Sequence, residues 1–306
     1  MQIVLLGTAA GGGSPQWNCN CSVCASVRAH AAGTVFRTQS SVAISADGHN
    51  WFLLNASPDL RGQLERFAPL HPGKATKRDS RIEGVLLTNA DLDHTLGLLL
   101  MREGGRIPVH ATSKVRDALV HAISIGPVLE AFCGVKWIRP PRRLSPLRRR
   151  DGTESGLLYQ VVGLRGKPPR FAPGAKTFSP GHSIGFRIQD QRTGGRLLFL
   201  PDVAGIEPPL IKSMSDCDVL LFDGTFWSED EMRKSGVGQA TAAAMGHWPM
   251  AGPNGSLKLL ATLPVRHKVY VHLNNTNPVL LENSAEHRAV RRAGVTIGRD
   301  GMKLKI

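Results

Sequence analysis

The segment Thr88-Asn89-Ala90-Asp91-Leu92-Asp93-His94-Thr95-Leu96-Gly97 gathers side chains that bind metals. An apolar run leads into it and another follows, so it reads as a strand-end loop entering a helix. Asn89, Asp91 and Asp93 alternate, and His94 comes next. Burying two carboxylates side by side without a cation costs several kcal/mol, which makes a metal the natural counter-charge. The plainer alternative is an Asp/Asn turn that caps the next helix. Other apolar runs carry similar residues at their ends. His182 stands in Gly181-His182-Ser183 beside Ile184–Ile188, Asp202 follows Leu197–Leu200, and His272 closes the run from Lys268. One histidine so placed is usually a hydrogen-bonded core residue. Four such places in one chain favour a metal site.

A second cluster is Cys19-x-Cys21-x-x-Cys24, flanked by Gly11-Gly12-Gly13-Ser14-Pro15. Three thiols within six residues suit a structural zinc, which wants four tetrahedral S/N ligands. The fourth ligand is not local. Cys133 and Cys217 stand alone in apolar surroundings and read as small buried hydrophobes. An odd cysteine count without a secretion signal argues against a disulfide framework.

These groups need a scaffold, and the pattern is strand-rich. Met1–Gly7 reads as a first strand rather than a signal peptide. Ser40–Ser45 and Trp51–Asn55 form a hairpin across Asp47-Gly48. A helix is expected over Pro58–Phe67 with Ser57 as its N-cap, and another after Ser113 as far as Ile123. Strands follow at Arg81–Thr88, Pro108–Ala111, Leu157–Leu164, Ser183–Gln189, Arg196–Leu200, Asp218–Phe222 and Lys268–His272. Helices are expected at Leu96–Arg102, Gln239–Met245, Gly255–Thr262 and Ser284–Arg292, before a closing strand pair. Strands followed by mixed α and β, repeated once, fit an α/β fold: an αββα sandwich in a single domain spanning 1–306.

Charge narrows the partners. The chain carries 38 Lys+Arg against 24 Asp+Glu, a net charge of +14. Half of that excess lies in Arg139–Arg170, where nine basic residues face two acidic ones. This stretch reads as a loop-rich insertion around one strand, either simply solvated or a lid over an anionic substrate. Ala68–Ser80 is a second loose, Pro/Lys/Arg-containing stretch. Nucleic acid is disfavoured, because aromatics are only 6%. No apolar run is long enough for a membrane span, and a cytoplasmic location is the default expectation. The oligomeric state stays open, a dimer included.

The strand-end pattern resembles the metallo-β-lactamase superfamily. Its second motif, H-x-H-x-D-H followed by T-x-G, stands here as Asn89-x-Asp91-x-Asp93-His94 with Thr95-x-Gly97. His182, in the context G-H-S-x-G-F-R-I, Asp202 and His272 match the later motif positions. Within the superfamily, longer blocks are similar to the B-protein family of pyrroloquinoline quinone (PQQ) biosynthesis. They include Leu5–Gly13, Pro15–Cys21, Asn55–Arg61, Phe222-Asp223-Gly224-Thr225-Phe226-Trp227, Met245-Gly246-His247 and His272–Pro278.

The resemblance implies a metallo-β-lactamase-type αββα sandwich, and the departures from the motif imply altered chemistry. Hydrolytic members hold two zinc ions, and their first site needs both motif histidines. Here those positions are Asn89 and Asp91, while Asp93, His94, Asp202 and His272 match the second-site ligands. Two imidazoles with carboxylates suit a non-haem Fe(II) centre. The family implies an O₂-dependent hydroxylation of a small anionic tyrosine-containing precursor, a glutamate–tyrosine diamino acid. Asp91 and His182 would ligate or act as acid/base groups. Asp223 and His247 would contact ligands or substrate, although Asp223 also fits a simple cap on Thr225. Cys19, Cys21 and Cys24 would hold structural zinc. In a related branch a histidine three residues after the last motif histidine completes that site, and Asn275 stands at that position here. The alternatives are a metal-dependent phosphodiesterase of the same fold, or a non-catalytic carrier of PQQ or its precursor.

Overall fold

The computed structural model describes residues 1–73, 77–172 and 177–306; residues 74–76 of the loose stretch 68–80 therefore lie outside the described residues. The strands form two mixed sheets. The chain divides into two compact units. The first comprises Met1–Gly7, Ser40–Arg196 and Gly301–Ile306, and the second Thr8–Gln39 with Leu197–Asp300.

In the first unit, β1 (Gln2–Gly7), β2 (Ser41–Ser45) and β3 (Trp51–Leu54) pair antiparallel. From β3 the sheet continues in parallel through β4 (Ile82–Leu86), β5 (Ile107–His110) and β6 (Val135–Ile138). β7 (Ser145–Arg148), β8 (Glu154–Gly163) and β9 (Ile184–Asp190) make an antiparallel ribbon. Val4, Leu6, Ala43, Trp51, Leu53, Val85 and Val109 share one apolar core with Leu60, Leu98, Val115 and Leu129 from the helices. Ile3, Leu5, Val42, Ile44, Phe52 and Leu54 alternate with them and are buried too. Burial on both faces explains why these strands read as nearly continuous apolar runs.

In the second unit β10 (Arg196–Leu200), β11 (Val219–Asp223), β12 (His267–Val271) and β13 (Thr296–Ile297) run parallel. Helices Pro208–Ser215, Ser256–Thr262 and Ala285–Arg292 accompany them, the last capped by Ser284, whose hydroxyl accepts from the His287 N–H. Parallel strands place all their C-terminal ends along one edge of a sheet, and ligand chemistry gathers at such edges. Among the described residues, no helix is long and apolar enough to cross a membrane.

Several expected boundaries move, each for a local reason. The helix expected over Pro58–Phe67 spans Leu60–Glu65 after Asp59, and the Ser57 hydroxyl instead bonds the Gln63 side chain. Thr112, not Ser113, caps the next helix by accepting the Val115 N–H; that helix is α only over Ser113–Asp117 and widens to π over Ala118–Ala122. The closing strands do not pair with each other. β13 joins β12, while β14 (Lys303–Lys305) joins β1.

The basic stretch is a hairpin rather than loops around one strand, because Leu147 and Leu157 pair across β7 and β8 and both are buried. Its turn arginines are tied down. Arg148 pairs with Glu154 (3.4 Å), Arg149 with Asp47 (3.0 Å) and Arg150 with Glu83 (3.8 Å). Those charges serve the surface of the first unit, which weakens the lid reading.

One buried histidine makes stability depend on pH. His110, at the end of β5, donates to or accepts from the Tyr159 hydroxyl through Nδ1 (2.8 Å), and its Nε2 has no partner among the described residues. Burial, aided by Lys136, pushes its pKa down to about 3. The unfolded chain takes up a proton near pH 6.5, whereas the folded chain resists until about pH 3. His110 therefore favours the folded state above pH 6.5, and that contribution is lost as pH falls towards 3. Urea unfolding between pH 7 and 4 should show stability falling by up to about 1.4 kcal/mol per pH unit, with a shallower slope for His110→Asn. Equal slopes for the two proteins would refute this assignment.

Candidate metal centres

In the first unit, the β4 end delivers the acidic motif. Thr88 is fully buried and held by Asn55: its N–H donates to Asn55 Oδ1 (2.9 Å) and its hydroxyl accepts from Asn55 Nδ2 (2.9 Å). Asn55 adopts the left-handed backbone region (φ 62°), which asparagine tolerates. Asn89 Oδ1 accepts the Asp91 N–H (2.9 Å), so Asn89 does make the expected turn. Asp91 is exposed and starts the short helix Leu92–Thr95. His94 is fully buried; its Nδ1 lies 3.2 Å from the Thr88 hydroxyl and its Nε2 lies 3.6 Å from the half-buried Asp93 carboxylate. The motif's glycine has a steric reason. A Cβ on Gly97 would fall 2.2 Å from the Ser57 carbonyl oxygen, where the Asn55–Ser57 block packs against the motif.

His182 sits in a loop that Thr112 holds, its hydroxyl donating to the Gly181 carbonyl (2.6 Å). Burial and the Lys114 ammonium lower the His182 pKa.

In the second unit, three neighbouring strand ends converge. Register pairs Leu200 with Phe222 and Asp223 with Val271, so β10, β11 and β12 end nearly level. Asp202 follows β10, Asp223 ends β11, and His272 follows β12. Helix Ala242–Met245, capped by Thr241, ends at Gly246 in the left-handed region (φ 90°) and turns the chain to present His247. Asp223 is wholly buried. Its Oδ2 accepts from His247 Nδ1 (2.8 Å) and the Val203 N–H (2.8 Å), and its Oδ1 from the Thr225 N–H (2.9 Å). Burial opposes its charge, but the His247 imidazole and these hydrogen bonds outweigh burial and lower its pKa. The cap on Thr225 is therefore real, and the same carboxylate also orients His247. The rings of His247 and His272 stack at 5.4 Å. His272 Nε2 lies 3.7 Å from Asp202 Oδ1.

Asp202, His247 and His272 each offer a ligand atom within 4.8 Å of the others. Since His247 uses Nδ1 on Asp223, its Nε2 faces other work. A carboxylate and two imidazoles, with ring nitrogens already engaged behind them, fit a divalent metal. Motif position gives His247 only as a contact to ligands or substrate, and the fold brings it into the donor cluster itself.

The cysteine cluster is also assembled. The thiols of Cys19, Cys21 and Cys24 lie within 4.8 Å of one another. The cysteine segment is in part a helix: Cys21 precedes helix Ser22–Arg28, and Cys24 lies inside it. Asn275 does reach this cluster: its Nδ2 donates to Cys24 Sγ (3.2 Å), and its carbonyl lies 3.7 Å from Cys21 Sγ. Arg28 ties the loop by donating to the Cys19 and Gln16 carbonyls. Burial pushes the Cys21 thiol up to about 12 in the metal-free protein. Three converging buried thiols fit zinc, which would hold them as thiolates. Cys217 is buried as expected, whereas Cys133 is only half-buried.

Comparison with known proteins gives these centres a setting. Residues 50–273 match the beta-lactamase superfamily domain. The coenzyme PQQ synthesis protein B of Pseudomonas protegens is 41% identical across the full length of both chains, and that of Methylococcus capsulatus is 41% identical over 99% of each. The crystal structure of Zn²⁺-bound PqqB from Methylobacterium extorquens superposes with a TM-score of 0.89 at 37% identity, covering both chains completely. A diphosphatase of the PhnP family shares the fold at a TM-score of 0.66 and 20% identity. The expected metallo-β-lactamase-type architecture is thus the one this protein has. By its full-length identity and by its fold, the chain belongs to the coenzyme PQQ synthesis protein B family of the beta-lactamase superfamily.

Proposed function

We propose that this protein acts in PQQ biosynthesis as a metal- and O₂-dependent hydroxylase of a tyrosine-containing precursor, a glutamate–tyrosine diamino acid. The observation that carries the reading is the donor set. Asn89 and Asp91 replace the histidines a two-zinc hydrolase needs, and Asn89 is spent on a turn, while Asp202 Oδ1 and His272 Nε2 lie 3.7 Å apart and would share one ion. By the motif resemblance, Asp93 and His94 would be a further carboxylate and imidazole of the ligand set. Fe(II) held there would supply the one-electron chemistry that O₂ requires and that zinc lacks. In the net reaction a ring C–H becomes C–OH, and one oxygen atom of O₂ enters the ring. The other atom leaves as water, with two protons and two electrons from a reductant such as ascorbate. His247, its Nδ1 paired with Asp223, would move a proton at Nε2 only where that nitrogen is not spent on the ion, and His182 and Asp91 are further acid/base candidates.

The experiment loads the protein anaerobically with Fe(II), adds a glutamate–tyrosine diamino acid, ascorbate and ¹⁸O₂, and follows product mass. Incorporation of one or two labelled oxygens is the expected result. Tight binding without a mass change would favour the carrier, and zinc-dependent cleavage of a phosphodiester would favour the hydrolase. Either outcome would overturn the proposal.

A further inference from the structure

The Thr225 hydroxyl meets more partners than it has protons. It lies 2.6 Å from Asp223 Oδ1, 2.8 Å from His272 Nδ1 and 2.9 Å from the His272 carbonyl oxygen. A hydroxyl carries one proton and two lone pairs. Asp223 is an acceptor only, and two oxygens at 2.6 Å need a proton between them. Thr225 therefore gives its proton to Asp223. Of its two remaining neighbours, the carbonyl has no proton to offer, so the lone pair must accept from His272 Nδ1–H.

We propose that Thr225 is a positioning residue that locks His272 in the Nδ1–H tautomer and so keeps the ring's lone pair on Nε2. One buried carboxylate then orients two imidazoles, His247 directly and His272 through the threonine. The backbone supports this. His272 is held in the left-handed region (φ 58°), a costly conformation for a side chain of this size, and its ring nitrogen and its own carbonyl flank the same hydroxyl. The next two residues are tied as well: the Leu273 N–H donates to the Thr8 carbonyl (2.9 Å) and the Asn274 N–H to the Thr225 carbonyl (3.0 Å). A looser version recurs in the first unit, where the Thr88 hydroxyl lies 3.2 Å from His94 Nδ1. The consequence for metal binding rests on the reading that His272 is a ligand, whereas the tautomer does not.

The test therefore reads both quantities. In the metal-free protein, above about pH 8 where an ordinary imidazole is neutral, ¹⁵N NMR of labelled histidine should show His272 as Nδ1–H. Thr225→Val, nearly equal in shape, should turn that signal into a mixture of tautomers. It should also weaken Co(II) binding, measured by chelator competition, by about 10- to 100-fold. Thr225→Ser should restore both readouts. A wild-type His272 found as Nε2–H overturns the proposal without any variant, as does Thr225→Val with an unchanged tautomer. If the tautomer shifts while Co(II) affinity holds, the positioning role stands and His272 is not a ligand.

Discussion

If the proposed hydroxylation holds, replacing His272 by alanine should leave less than about one hundredth of that turnover, together with loss of the proposed metal. The histidine contributes three things that alanine cannot. Its Nε2 lies 3.7 Å from Asp202 Oδ1, so the pair would lose one of its two donors. Its ring stacks on His247 and its Nδ1 closes the chain through Thr225 to Asp223. Alanine would also inherit the left-handed backbone without the hydrogen bonds that support it. His272→Asn is the useful companion, since asparagine tolerates this backbone and isolates loss of the ligand from loss of the fold. Asp93→Ala should match His272→Ala in turnover, and its half-buried carboxylate lies in a different segment of chain. Metal content by emission spectrometry and product formation by mass spectrometry check both variants. Unchanged turnover in both would remove the ligand assignment.

Cys24→Ala should cause the largest loss of stability among the positions discussed. Cys24 is wholly buried, and its thiol meets those of Cys19 and Cys21 within 4.8 Å. Zinc binding in small peptides supplies about 10–16 kcal/mol, because there it folds the whole chain. Here it would order only the loop and helix around residues 11–28, so a few kcal/mol is the appropriate scale. At about 2–4 °C per kcal/mol for a larger domain, Tm should fall by about 10 °C. The variant should lack one zinc equivalent and should not respond to a chelator, whereas the chelator should lower the wild-type Tm by a similar amount. A variant with wild-type Tm and zinc content would refute the zinc reading of the cluster.

Three of the nine basic residues in the Arg139–Arg170 stretch have local acidic partners. Arg148, Arg149 and Arg150 sit at one hairpin and pair with Glu154, Asp47 and Glu83. Sequence alone counts charges along the chain. It does not show that Asp47, 102 residues before Arg149, and Glu83, 67 residues before Arg150, stand opposite those arginines.

Much of this protein is legible in residue type and short spacing. Both define the acidic motif, the strand-end Asp202 and His272, and the cysteine cluster, and such signals survive in a one-dimensional string. The strands that carry them are readable too, since burial on both faces makes them nearly continuous apolar runs. Helix Ser22–Arg28 is hidden because it spans only seven residues and its cysteines suggest a loop. Helix caps shift by one or two positions, as with Thr112, because adjacent hydroxyls compete for the same N–H. Residue types and local spacing determined which candidate ligands this protein carries. Only the tertiary structure decided how they are held. Asp223 orients His247 from 24 residues away, and Thr225 reaches His272 across 47, because hydrogen bonds are set by distance in space and not by separation along the chain.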